Sequence, residues 1–158
     1  METQIKYDVR EVNWPEKTLL TRRVNTTFDK LPSFFAGAYG LLYQDLQKQG
    51  LRSTEPPFAI YYLVDEAKHE TDVAAAVAIE GEVKETRGFQ KVTIPATKAL
   101  QLTHYGDYNN MRPAYEALDQ YVKDHGFETL LMLEQYFSDP GVEKDPAKWR
   151  TDIYFIVK

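Results

Sequence analysis

Cysteine is absent from the 158 residues. That excludes disulfides, a thiolate nucleophile and any metal held through sulfur. The three histidines, His69, His104 and His125, stand far apart with no metal-ligand spacing, so neither a metal nor a cofactor is expected. Nowhere do eighteen apolar residues follow one another, and the opening "METQIKYDVREV" lacks the apolar stretch of a signal peptide. The chain is read as cytoplasmic, with no membrane partner. Positive charge is also in deficit. Nineteen Lys and Arg against twenty-four Asp and Glu leave a formal net charge of −5, which argues against a free-standing nucleic-acid binder. There is no Gly-rich phosphate loop. Ser33, Ser53 and Ser138 lie in turn or cap contexts without the surroundings of a nucleophile.

What is present has the length and balance of one ordinary globular domain, with 43% hydrophobic and 27% charged residues, so a single domain over 1–158 is expected. Aromatic residues are plentiful at 13%, with eleven Tyr and eight Phe. Tyrosine in excess fits either the amphipathic edge of a core or a pocket wall with polar handles.

Periodicity supplies the elements. "IKYDVREV" alternates Ile5, Tyr7 and Val9 with polar neighbours, and "TLLTRRVNT" is a second strand. Leu31, Phe34, Phe35, Ala38, Leu41, Leu42 and Leu46 recur at helical spacing between Pro32 and Gly50. Strands "PFAIYYLV" and "DVAAAVAI" follow, then the polar stretch "EGEVKETRG" at 80–88, read as a linker. The pattern then recurs. "FQKVTIP" and "KALQLTHY" are strands, 109–126 is a helix, and "TLLMLEQYF" and "RTDIYFIVK" close the chain. "AYGLLYQDLQKQGL" (38–51) matches "AYEALDQYVKDHGF" (114–127) at Ala38/Ala114, Tyr39/Tyr115, Leu42/Leu118, Gln44/Gln120 and Gly50/Gly126. The expected fold is therefore α+β: a strand-helix-strand-strand unit duplicated about a pseudo-twofold axis, with repeats at about 4–79 and 89–158. An antiparallel sheet carries both helices on one face.

Side chains alternate along a strand. Leu131, Leu133 and Phe137 are expected to cover the helices, with Met132, Glu134 and Tyr136 on the other face. In the last strand Ile153, Phe155 and Val157 share one face, opposite Asp152, Tyr154 and Ile156. Ala74, Ala76 and Ala78 leave room above the sheet. The second faces together suggest a concave space lined by aromatic rings with a carboxylate at its floor. An unpaired buried carboxylate is costly unless something matches its charge or protonates it, which makes Glu134 the residue to explain.

Four motifs carry a family resemblance: "PFAIY" (57–61), "HYGDY" (104–108), "EQYFSDP" (134–140) and "TDIYFIV" (151–157). The chain resembles the GyrI-like small-molecule-binding family, the effector-binding domain of multidrug-responsive MerR-type and AraC-type transcription regulators. The resemblance implies a ligand pocket between two repeats, with Glu134 as its central acid. It also implies that Tyr61 and Tyr154 line that pocket. In the regulators a helical DNA-binding domain precedes this module. Here the module begins within the first residues, so no DNA reader in cis and no direct nucleic-acid binding are expected. Standalone members are associated with gyrase inhibition or with hydrolysis of strained cyclopropane-bearing toxins.

Each residue has a plainer alternative. Glu134 could be an exposed strand residue or the partner of Arg150. Tyr136 could be core, and Met132 shares its face. Trp149 could be a lid or ordinary surface cover. His104 is read as orienting the turn at Gly106 and capping the second helix, and His69 and His125 as surface residues. Two functions remain. One is a binder of a small lipophilic, possibly cationic molecule, with rings and a counter-charge. The other is a hydrolase using Glu134 as general base. A protein–protein role is a third, with its partner unassigned.

Overall fold

Prolines open both helices and glycines close them. In the computed structural model, which describes residues 7–139 and 141–158, helix α1 (Leu31–Lys48) and helix α2 (Arg112–His125) each carry proline in the first turn. The missing N–H of proline costs nothing there. Gly50 and Gly126 follow the helices at φ 71° and 70°, a left-handed turn that glycine adopts without strain. Gly50 and Gly126 are one of the five pairs that coincide when the helices are laid over each other.

Among the described residues the strands are β1 (Arg10–Trp14), β2 (Lys17–Thr27), β3 (Phe58–Asp65), β4 (Glu70–Ile79), β5 (Gln90–Ile94), β6 (Thr97–Tyr105), β7 (Thr129–Tyr136) and β8 (Arg150–Val157). Each expected segment overlaps an element, but the first strand begins at Arg10, so Tyr7 and Val9, expected within it, precede it. Ile5, expected to begin the first strand, lies outside the described residues. With two helices and antiparallel sheet throughout, the fold is α+β.

The chain forms two compact units. One is Pro15–Ala96 and the other combines the residues up to Trp14 with Thr97–Lys158. We call them the α1 unit and the α2 unit. The α1 unit has strand order β5-β2-β4-β3, and the α2 unit has β1-β6-β8-β7. These are the same order with a leading strand exchanged. β1 pairs with β6 from Arg10↔Gln101 to Trp14↔Thr97, and β5 pairs with β2 from Lys17↔Ile94 to Thr21↔Gln90. The boundaries of these units fall at Trp14/Pro15 and Ala96/Thr97, while 80–88, between the two sequence repeats, connects β4 to β5. The stretch read as a linker belongs to the α1 unit, where Val83 joins the core.

In the α1 unit, Ala38, Leu42 and Leu46 of α1 pack on Leu20, Ala75, Val77 and Ile79. Each buried leucine contributes roughly 1.5–3 kcal/mol. Ala74, Ala76 and Ala78 face away from α1, as their alternation predicts, and are buried. In the α2 unit, Met111, Ala114 and Leu118 pack on Leu100, Leu102, Ile153, Phe155 and Val157.

Candidate functional site

The register of β7 against β8 places the site. Met132 pairs with Phe155, Glu134 with Ile153 and Tyr136 with Thr151. Directly paired residues share a face, and Phe155 and Ile153 belong to the core beneath α2. Met132, Glu134 and Tyr136 therefore face α2. This corrects the expectation that Leu131 and Leu133 cover the helix with Glu134 on the far side. The reason is a register shift between Thr129 and Leu131. It turns Leu130 out to 53% exposure and sets which row of β7 meets the helix-facing row of β8.

Glu134 is 7% exposed. Tyr136 donates its hydroxyl to Oε1 at 2.7 Å, and Tyr115, from the first turns of α2, donates to Oε2. Two neutral phenols satisfy hydrogen bonding but bring no countercharge. Among the described residues no basic group pairs with Glu134. Burial accordingly pushes its carboxyl above the ordinary range, against the opposing pull of the two phenols. Arg150, the alternative partner, instead forks onto Asp152, with Nε to Oδ1 at 3.1 Å and Nη2 to Oδ2 at 3.0 Å.

An aromatic cluster adjoins the carboxyl. Tyr108 meets the Tyr136 ring edge-on at 5.7 Å and stacks on Trp149 at 5.1 Å. Burial, followed by the charges of Glu134, Asp139 and Asp107, raises the Tyr108 phenol. Trp149 is anchored at two points. Its carbonyl accepts from Gly106 N at 2.8 Å, and its indole N–H donates to the Glu143 carbonyl at 2.8 Å. Gly106 has φ 130°, which only glycine takes without strain. His104, 2% exposed, spans from the Tyr7 hydroxyl (2.8 Å) to the Asp107 carbonyl (3.0 Å). Asp107 in turn caps the one-turn helix Tyr108–Asn110 through Asn109 N. His104 thus holds the turn that presents Tyr108.

Of the residues singled out in the sequence, Glu134, Tyr136, Met132 and Trp149 lie in the α2 unit, and a chain of ring and hydrogen-bond contacts joins Glu134, Tyr136 and Trp149 through Tyr108. Tyr154 lies on the opposite face of that sheet, edge-on to Trp14 at 5.1 Å. Tyr61 belongs to the α1 unit, on the α1 side of β3 opposite Val73. Tyr115 and Tyr108 were not singled out as site residues. Tyr115 was visible as the repeat partner of Tyr39, and Tyr108 as the end of "HYGDY". Tyr39 occupies the matching place and donates to the Phe58 carbonyl at 2.6 Å. Each helix tyrosine therefore reaches down to the strand beneath it. One finds a backbone oxygen and the other a carboxylate. Among the described residues no cluster of His, Asp and Glu could hold a metal, and no helix is long and apolar enough to cross a membrane.

The sequence matches the family described as the GyrI-like small molecule binding domain over residues 7–158. The chain belongs to the GyrI-like family. No curated protein matches it. The GyrI-like chain is similar to the C-terminal domain of EcmrR, at 25% identity and a TM-score of 0.81, covering 98% of this chain and 99% of that one. It is likewise similar to EcmrR in its complex with DNA, at 25% identity and a TM-score of 0.83, covering 96% of this chain but 57% of that one. The chain thus spans little more than half of that regulator. Two more distant relatives share the fold. A hydrolase from Listeria innocua is 14% identical with a TM-score of 0.67, covering 95% of this chain and 91% of that one. SAV2435, bound to tetraphenylphosphonium, is 14% identical with a TM-score of 0.58, covering 98% and 94%. This is a small-molecule-binding domain of the effector-binding type.

Proposed function

We propose that the domain binds a lipophilic cation, with Glu134 as its countercharge and Tyr108, Tyr136, Trp149 and Met132 as its apolar wall. One observation carries the reading: a carboxylate 7% exposed is held by two phenols and, among the described residues, by no cation. A buried charge so placed destabilises the empty protein, and a cation entering beside it recovers the lost Coulomb energy. Aromatic faces attract the same cation. SAV2435, of the same fold, is bound to tetraphenylphosphonium, which makes that ion the natural first probe. The common strand order of the two units and the matched Tyr39 and Tyr115 support a duplicated origin for this architecture.

The test is calorimetric titration of the native protein and Glu134→Gln with tetraphenylphosphonium and with neutral triphenylphosphine oxide. Removing the buried ionic partner should weaken the cation by about 2 kcal/mol, roughly thirtyfold, and leave the neutral molecule unaffected. Native affinity for the cation should climb as pH rises through the raised carboxyl value and level off above it, since only the ionised acid attracts it. Equal cation affinity in the two proteins would sink the proposal. A carboxyl beside phenols could also serve a hydrolase. Mass spectrometry of recovered ester or lactone ligands, converted by the native protein and intact with Glu134→Gln, would favour that function.

A further inference from the structure

Thr151 is 0% exposed, and its hydroxyl has no hydrogen-bond partner among the described residues. On β8 it pairs with Tyr136 on one side and His104 on the other, so all three share the α2 face. Neither neighbour bonds to it. The Tyr136 hydroxyl is committed to Glu134, and both ring nitrogens of His104 are engaged, by Tyr7 and by the Asp107 carbonyl. A buried hydroxyl without a partner disfavours the fold, and valine would fill the same space without that cost. The hydroxyl therefore stands one strand away from the Glu134 row, among rings, able either to donate or to accept.

We infer that Thr151 makes this site prefer cations carrying a hydroxyl, ether or carbonyl oxygen over all-hydrocarbon cations of the same charge. The inference rests on the proposed cation reading and adds a second polar point to it. Glu134 supplies attraction to charge, which any lipophilic cation exploits. Thr151 supplies a directional bond, which rewards only a ligand with oxygen at the right distance from its charge.

The test compares tetraphenylphosphonium with its ortho, meta and para hydroxymethyl derivatives by calorimetric titration. At least one derivative should bind the native protein about five- to tenfold more tightly than the parent, the worth of one buried neutral hydrogen bond. Thr151→Val should erase that gain, keep the parent within about twofold and melt no lower than native. Thr151→Ser should retain the gain. Should the valine variant not fold, Thr151→Ala carries the same comparison. The inference is overturned if no derivative outbinds the parent, or if the gain survives loss of the hydroxyl. Should Glu134→Gln weaken the parent while Thr151→Val changes nothing, only the role of Thr151 falls. If the parent does not bind, or Glu134→Gln leaves it unchanged, the cation reading falls and takes this inference with it.

Discussion

Glu134→Gln tests the energetics of the buried carboxyl without any ligand. In the unfolded chain that carboxyl titrates near its ordinary value of 4.5, and burial raises it in the folded protein. Below the unfolded value the group is neutral in both states and carries no penalty. As pH rises towards the folded value, the unfolded state loses its proton first and is favoured. Native stability therefore falls through that window and stays low above it. Each pH unit separating the two titration points costs about 1.4 kcal/mol. The amide never ionises and carries no such cost. Against it stands one hydrogen bond, because the amide nitrogen cannot accept from a phenol as Oε1 and Oε2 do, a loss of about 1 kcal/mol. At pH 4 the variant should lie within about 1 kcal/mol of native, on the less stable side. Towards pH 8 it should gain on native and pass it where the ionisation cost exceeds that one bond. For a protein of this size each kcal/mol moves Tm by about 2–4 °C. Circular-dichroism melts from pH 4 to 8 measure the gap. A gap that stays flat or moves against the variant as pH rises would refute the reasoning, because the carboxylate would then carry no desolvation penalty.

The paired tyrosines should separate under the same assay. Tyr39→Phe removes a bond to a neutral carbonyl and should cost about 1 kcal/mol at every pH. Tyr115→Phe removes a donor to a buried carboxylate, so it should cost about 1.5–3 kcal/mol at pH 8, and the excess over Tyr39→Phe should fade towards pH 4. Equal, pH-independent losses would contradict this. With a net charge of −5, the chain should not shift duplex DNA at physiological salt, and a sub-micromolar, salt-sensitive affinity in a gel shift would overturn that expectation.

Sequence reasoning located every strand and both helices because each carries its own local signal: alternation, helical spacing, a proline at the start or a glycine at the end. It could not decide which face of β7 meets α2. Both faces of that strand are buried, with Leu133 at 0%, Glu134 at 7% and Gln135 at 3% exposure, so alternation no longer separates inside from outside. The deciding fact is pairing register, fixed by the irregularity at Leu130, and a one-residue slip inverts every side chain. Glu134 was legible because a carboxylate amid Leu133, Tyr136 and Phe137 is anomalous wherever it points. Its phenol partner Tyr115 was not, because it lies nineteen residues away on another element. Nor did sequence separate Arg150 as a partner of Glu134 from Arg150 as a partner of Asp152, a choice that again depends on face.

The exchanged leading strands impose an order of events on a chain emerging from the ribosome. The α1 unit is continuous, Pro15–Ala96, and all its strands are present once β5 is out. The α2 unit is not continuous. β1 is made early, yet its partner β6 lies about ninety residues on, as in Arg10↔Gln101, and β8, which joins β6 to β7, is the last strand made. β1 is therefore a tethered edge with nothing to pair with until β6 follows β5 out, and the sheet that holds it is complete only with β8. Its sequence, REVNW, opens on two charged residues and is largely exposed at the near end, which suits a strand that must wait in water without recruiting a wrong neighbour.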